Sequence, residues 1–398
     1  MVVNTSSKEK PVEISLKESF ITLFKVDPDY LTSVGSYIHI GKALINGAVD
    51  LTQVITDSKE LTPLPEDDGL QIIDYVKGDC EWWYFDINDY KSGCFLKIVL
   101  HVGTDPLRTR VFPQLAISVN TPEKSESFIH PFVNEELIAD TQQCNLSIRD
   151  AVIIWVEYTD HPVYFIKIDI PGYKCNFKFT GEGEGWKPFG KKIPYQSGIK
   201  KVDFSWLVPI PKARVEGDFY YKDKQYNLFG ATGYHDHNYV RPDRKNPLHL
   251  DDLAIKWHWG KSYAGSYTVI FADIYCRTNS TLALMVSEQN KIIYSSNNLI
   301  ECSVLSYGFD EYVKVSYPAA LHIKSLDVQF PFQAEFVFDK ILDRKDLLEG
   351  INPVLKFFIK KLIAKPVYHG ILSKVRLNIK NNNLEGSGNF ETMVFREK

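Results

Sequence analysis

The chain has no uncharged apolar run of about 18 residues, so no segment reads as a helix that spans a bilayer. Its opening, Met1-Val-Val-Asn-Thr-Ser-Ser-Lys-Glu-Lys10, lacks an apolar run followed by small residues, which reads against a secretory leader and for a cytoplasmic protein. The six cysteines (80, 94, 144, 175, 276 and 302) are scattered, with no Cys-x-x-Cys pair, so neither a disulfide framework nor a zinc site is indicated. The net charge is only -4 and the pI about 6.2, which excludes the electrostatic footprint of a nucleic-acid binder. There is no Gly-x-Gly-x-x-Gly after a strand, no Walker loop, no Gly-x-Ser-x-Gly and no His-Glu-x-x-His. Nucleotide and flavin enzymes and ordinary serine hydrolases are disfavoured accordingly.

What is present is aromatic. Phe, Tyr and Trp number 24, 22 and 7, or 13% of the chain, against 3 Met. Such residues favour strands and suit the lining of a large apolar ligand site. With 398 residues the chain exceeds one ordinary core. Residues 1–70 read as an N-terminal extension, broken at Pro63 and Pro65 and followed by the acidic Glu66-Asp67-Asp68. From Asp79 onward, short β-branched and aromatic runs such as Glu81–Ile87, Cys94–Val102, Gly217–Tyr221 and Gln225–Gly230 alternate with turn residues, Lys-Asp-Lys among them. The pattern is all-β, at the spacing of a sandwich or barrel. The Val240–Leu248 segment, with two prolines, is the best linker, dividing a domain over 71–240 from a second over 253–398. The exception to β character is Asn352–Ala364, where Leu355, Phe358, Ile359 and Leu362 fall at helical spacing beside Lys356, Lys360 and Lys361. Its basic side suits weak contact with a membrane surface, and a helix packed across a barrel mouth is the plainer reading.

The densest polar cluster is Gly233-Tyr-His-Asp-His-Asn-Tyr239. Alternation places His235, His237 and Tyr239 on one strand face and Tyr234, Asp236 and Asn238 on the other. His-x-His on a strand can supply two zinc ligands, with His258 as a third. No acidic or cysteine ligand is conspicuously spaced beside them, so the expectation is that no metal is needed and that the histidines hydrogen-bond locally. In Lys256-Trp-His-Trp-Gly260, Trp257 and Trp259 share a face. In Thr268–Tyr275, Phe271, Asp273 and Tyr275 do the same, and burial among apolar neighbours makes Asp273 a candidate general acid. A carboxylate that merely pairs with Arg277 would look identical at this level. Glu81-Trp-Trp-Tyr-Phe85 sets Trp82 and Tyr84 on one face and Trp83 on the other, a pattern that reads as core in an isolated strand.

Taken in order, Glu81-Trp-Trp-Tyr84, Trp206-Leu-Val-Pro209 with Val215-Glu-Gly217, Gly233–Asn238 and Trp257-His-Trp-Gly260 resemble the carotenoid 1,2-hydratase and AttH-like family of double lipocalin-like proteins, over roughly residues 75 to 395. The resemblance implies two tandem lipocalin-like antiparallel β-barrels, with a ligand pocket near their junction. It implies cofactor-free enzymes: hydratases of terminal isoprenoid double bonds, and pericyclases including decalin-forming Diels–Alderases. His237 matches the histidine of the family's His-Asn-Trp pattern and Asp273 the aspartate of its Tyr-x-Asp pattern. Tyr239 and Phe271 depart from those patterns, which places carotenoid hydration in doubt. The resemblance puts His237 and Asp273 in one pocket.

The expected function is therefore a cofactor-independent cyclase, pericyclic or proton-initiated, acting on a hydrophobic polyene or isoprenoid-like substrate. Hydration of an isoprenoid double bond and non-catalytic carriage of a lipid or pigment are the alternatives. The expected catalytic residues are His237, Asp273, Tyr239 and Asp236. Trp82, Trp83, Tyr84, Trp257, Trp259, Phe271 and His235 are the expected substrate-binding set. No metal, organic cofactor, nucleic acid or obligate protein partner is expected.

Overall fold

The computed structural model describes residues 62–76, 78–103, 113–132, 136–188, 193–197, 199–248, 254–276, 280–346 and 366–394. The expected helix over 352–364 and most of the expected N-terminal extension lie outside them. Residues Val54–Lys398 form one compact unit. Among the described residues there is no α-helix. The molecule is built from two large antiparallel sheets.

Among the described residues, the first sheet takes twelve strands between Cys80 and Pro242, and the second nine between Ala254 and Val394. Both follow one scheme. The chain starts in mid-sheet, meanders to one edge, crosses to the other edge and meanders back, so that its last strand pairs with its first. Cys80–Asp89 thus lies beside Lys224–Pro242, and Ala254–Ala264 beside Asn382–Val394. Tight turns make this meander. Lys222-Asp223, Gln289-Asn290 and Lys380-Asn381 each have two successive positive φ values, the backbone that matches the right-handed twist of hairpin strands.

Where the sequence suggests separate short runs, the structure has two long strands, Lys200–Tyr221 and Lys224–Pro242. Their pairing shifts register between Leu207 and Ile210, between Ile210 and Ala213, and between Val215 and Glu216. Pro209 and Pro211 sit inside these irregularities, where a missing N–H interrupts no regular ladder. The bulges let one strand bend and serve both sides of the molecule.

Among the described residues, alternation along the strands produces three large apolar clusters and a small one of Phe95, Leu342 and Leu372. One set of alternate residues, including Trp83, Phe85, Ile98, Ile117, Ile166, Phe177 and Val215, meets inside the curled first sheet. Val269, Phe271, Leu321, Phe336, Val375 and Phe390 meet inside the second. The third cluster lies between the sheets, where Tyr84, Trp206 and Tyr234 of the first pack on Trp259, Ile270, Ala272 and Met285 of the second.

Two glycines are dictated by close approach. Phe271 lies over Gly260, its cross-strand partner, and occupies the space of a side chain there. Gly217, at φ +131°, leaves so little room that a Cβ would stand 2.0 Å from the Asn176 carbonyl oxygen. Gly217→Ala should therefore destabilise by on the order of 3 kcal/mol or more, measured as a lowered denaturation midpoint. Gly172→Ala, at φ +80° but with nothing within 4 Å of the added carbon, should cost only about 1 kcal/mol.

Candidate active site

The pleat of the Cys80–Asp89 strand decides where the site is. Trp83 and Phe85 point into the first sheet's interior, so Trp82 and Tyr84 point out of it, toward the second sheet. In the neighbouring strand Asp236 pairs with Tyr84 and Asn238 with Trp82, and Trp206 pairs with Asn238 from the other side. Trp82, Tyr84, Phe204, Trp206, Asp236 and Asn238 form one wall of a cleft of about 510 Å³, solvent opening included. Trp257, His258, Trp259, Ala272, Ile274 and Glu391 from the second sheet form the other. The register explains this wall too, since Trp259 pairs with both Ala272 and Glu391, and Trp257 with Ile274. Four tryptophans and a tyrosine give the cleft apolar faces with a negative π surface.

Two carboxyl groups interrupt that lining. Asp236 accepts hydrogen bonds from Tyr234 Oη at 2.7 Å, Asn238 Nδ2 at 2.8 Å and Trp206 Nε1 at 3.2 Å. Burial pushes its pKa up to about 7, the three donors oppose the rise, and the charge of Glu391 adds to it. Glu391 accepts from Tyr84 Oη at 2.9 Å and Tyr368 Oη at 2.5 Å. Burial raises its pKa as well, against the pull of Lys97, which donates to the Tyr368 hydroxyl at 2.8 Å. Deeper still, Lys261 is fully buried and donates to Asp86 at 2.6 Å. The cleft thus offers Asp236, which keeps a substantial protonated fraction near neutrality, beside a second buried carboxyl, in an environment that suits a cation.

The structure brings Trp82, Tyr84, Trp257, His258, Trp259 and Asp236 of the sequence-derived residues to this cleft and places the others elsewhere. His237 stacks on Trp83, with centroids 4.5 Å apart, and its Nε2 lies 2.9 Å from Glu81 Oε1. His235 stacks on Phe85 at 3.9 Å, and Tyr239 lies near His237 on the same face. All belong to the first sheet's interior side. Asp273 shares its face with Phe271 inside the second sheet, opposite Leu282, and interacts with Cys302. Burial raises the Asp273 pKa to about 6, as its apolar surroundings suggest. His237 and Asp273 therefore face two different interiors and do not share a cavity. His258 pairs with Asp273, on the face opposite Trp257 and Trp259, so it does not join His235 and His237 as a third ligand. The physical reason is the two-residue period: the side chains of neighbours in a motif face opposite ways.

Glu391 and Trp206 were not singled out as site residues. Trp206 stood in the motif series as a landmark. Glu391 comes from the last strand, and only alternation around the buried Phe390 hints that it faces the cleft.

The two cleft carboxyls make stability depend on pH. The Asp236 pKa is raised above its unfolded value, so its contribution is fully present below about 3.8 and lost as pH rises through about 7. Asp236→Asn cannot ionise and should escape that loss. The difference in melting temperature, variant minus parent, should be more positive at pH 8 than at pH 4. Parallel curves would show that Asp236 is not held as the acid.

No protein-family model matches the sequence, and no curated protein sequence matches it. Solved structures do. CghA with Sch210972 aligns over 86% of this chain and 97% of its own, at TM-score 0.57 and 13% identity. An AttH-like protein from Nitrosomonas europaea aligns over 85% and 98%, at TM-score 0.57 and 12% identity. Kievitone hydratase from Nectria haematococca aligns over 84% and 98%, at TM-score 0.50 and 11% identity. At these identities the likeness is one of fold, and the fold is that of the AttH-like double lipocalin-like proteins that the sequence resembles.

Proposed function

We propose that the inter-sheet cleft is the active site of an enzyme that cyclises a hydrophobic polyene or isoprenoid-like substrate by proton transfer, with no organic cofactor. The observation that carries this reading is the placement of Asp236 and Glu391 in one cleft walled by tryptophan rings. Asp236 would deliver its proton to one carbon of a substrate double bond, forming a C–H bond and leaving a cation on the other carbon. The faces of Trp82, Trp257 and Trp259 stabilise that charge. A second double bond of the same chain then attacks, forming the ring bond and moving the cation. Glu391, as carboxylate, takes a proton from the adjacent carbon, and a new double bond closes the sequence. Substrate and product are isomers, and one proton passes from Asp236 to Glu391. Holding the chain in a reactive fold supplies the rest, worth roughly 7–11 kcal/mol in well-aligned cases.

Hydration is the second reading, supported by the shared fold with a protein named as a hydratase. There water replaces the second double bond as nucleophile, and Glu391 takes the proton from the added oxygen instead of from carbon, so an alcohol forms and no new double bond.

The test begins with mass spectrometry of the ligand that copurifies with the protein, followed by incubation of that compound in D2O. Proton-initiated chemistry incorporates deuterium from Asp236, and Asp236→Asn lowers turnover roughly 10²–10⁴-fold with binding retained. Trp257→Ala weakens both binding and turnover. A product heavier by water selects hydration. A pericyclic reaction would show no deuterium uptake and little effect of Asp236→Asn. A carrier would give no product at all.

A further inference from the structure

A second group of reactive side chains lies on the other face of the Lys224–Pro242 strand, away from the cleft. Asp68 follows the short turn Pro65–Asp67, Cys144 precedes the strand Leu146–Ile148, and His235 stands in mid-sheet. One ligating atom from each lies within 4.8 Å of the other two, and all three residues are buried.

The hydrogen bonding around His235 leaves a question. Its Nδ1 is 3.0 Å from the Tyr84 carbonyl oxygen, which only accepts, so Nδ1 carries a hydrogen. In the neutral ring Nε2 then presents a lone pair, yet it faces Asp68 Oδ2 at 3.2 Å. Two acceptors at that distance need a positive centre between them, either a proton or a metal ion. A bound proton would set an imidazolium beside His237, whose Nδ1 faces the Asp67 carbonyl oxygen at 3.3 Å and Asp68 Oδ1 at 3.4 Å and whose Nε2 faces Glu81 at 2.9 Å, so that it also calls for hydrogens on both. The Cys144 thiol hydrogen-bonds to the same Asp68 carboxylate, which brings a third ligating atom to the pair.

We infer that Asp68, Cys144 and His235 form a structural site for a thiophilic divalent cation of the zinc class. Metal–nitrogen and metal–oxygen bonds of about 2.0–2.1 Å spanning the 3.2 Å gap meet at about 100°, near the tetrahedral value. The supporting groups of a metal site are in place: Nδ1–H on a backbone carbonyl orients the imidazole, stacking on Phe85 fixes its plane, and Tyr164 Oη donates to the carboxylate at 2.5 Å. A dication with an aspartate, a thiolate and a neutral imidazole is neutral overall, which suits a dry interior. Binding converts the Cys144 thiol to thiolate and releases its proton to solvent. The ion would tie the Asp68 segment and the Cys144 loop to the sheet, apart from the cleft chemistry.

The untagged full-length protein, stripped by a chelator and dialysed, should bind Zn2+ at one equivalent against a chromophoric competitor. Its melting temperature should rise by several degrees. Co2+ should give a near-ultraviolet thiolate-to-metal band and visible bands of tetrahedral intensity. Cys144→Ser should abolish the thiolate band and weaken Zn2+ binding by 100-fold or more, and the wild-type measurement stands alone should that variant fold poorly. Absence of stoichiometric binding by the wild-type chain, or a thiolate band that survives Cys144→Ser, would overturn the assignment in favour of the imidazolium.

Discussion

The pairing of the Cys80–Asp89 strand with Lys224–Pro242 is the constraint on which the rest depends. These two strands are the first and last of their sheet, so their register joins the beginning of the domain to its end. A pleated strand presents alternate residues to opposite faces. Here one face is the first sheet's interior and the other is the cleft. Trp83, Phe85, His235 and His237 take the interior, and Trp82, Tyr84, Asp236 and Asn238 take the cleft. A one-residue slip would exchange the two sets and lose both.

The polar groups follow from this division. An ionised carboxylate in an apolar interior is costly unless it is paired or protonated. Inside the first sheet Glu81 answers with the Gln71 and Ile72 backbone N–H groups and His237. At the junction Asp86 is answered by Lys261. In the cleft Asp236 has only neutral donors, so burial acts on it without a cationic partner and favours the acid form. The same burial that disfavours charge on Asp236 is what keeps a proton on it up to a pKa of about 7.

Aromatic residues serve different ends in the two places. Phe85 and Trp83 clamp imidazole rings, and Phe271 fills the space above Gly260. Trp259 packs edge-on to Tyr84 at 5.7 Å and lines the cleft. An aromatic count alone cannot separate these uses. Their strand parity can, once it is known which face is inside.

Much of the fold was legible in local pattern. Turn residues at Lys222-Asp223 and the alternation from Glu81 to Phe85 depend on neighbours in sequence, and they determined an all-β chain whose tryptophans and tyrosines divide between two faces. The motif order carried the double-barrel resemblance. Local pattern also separated Asp236 from His235 and His237 correctly, because parity is a property of the chain. It could not say which parity faces an empty space, since that depends on how each sheet curls and what packs against it. His237 and Asp273, drawn together by the resemblance, turned out to face separate interiors, whereas Glu391 reached the cleft from the last strand through its pairing with Trp259. Contacts between residues hundreds of positions apart, such as Tyr84 with Glu391, are set by sheet closure, and only the tertiary structure decides them.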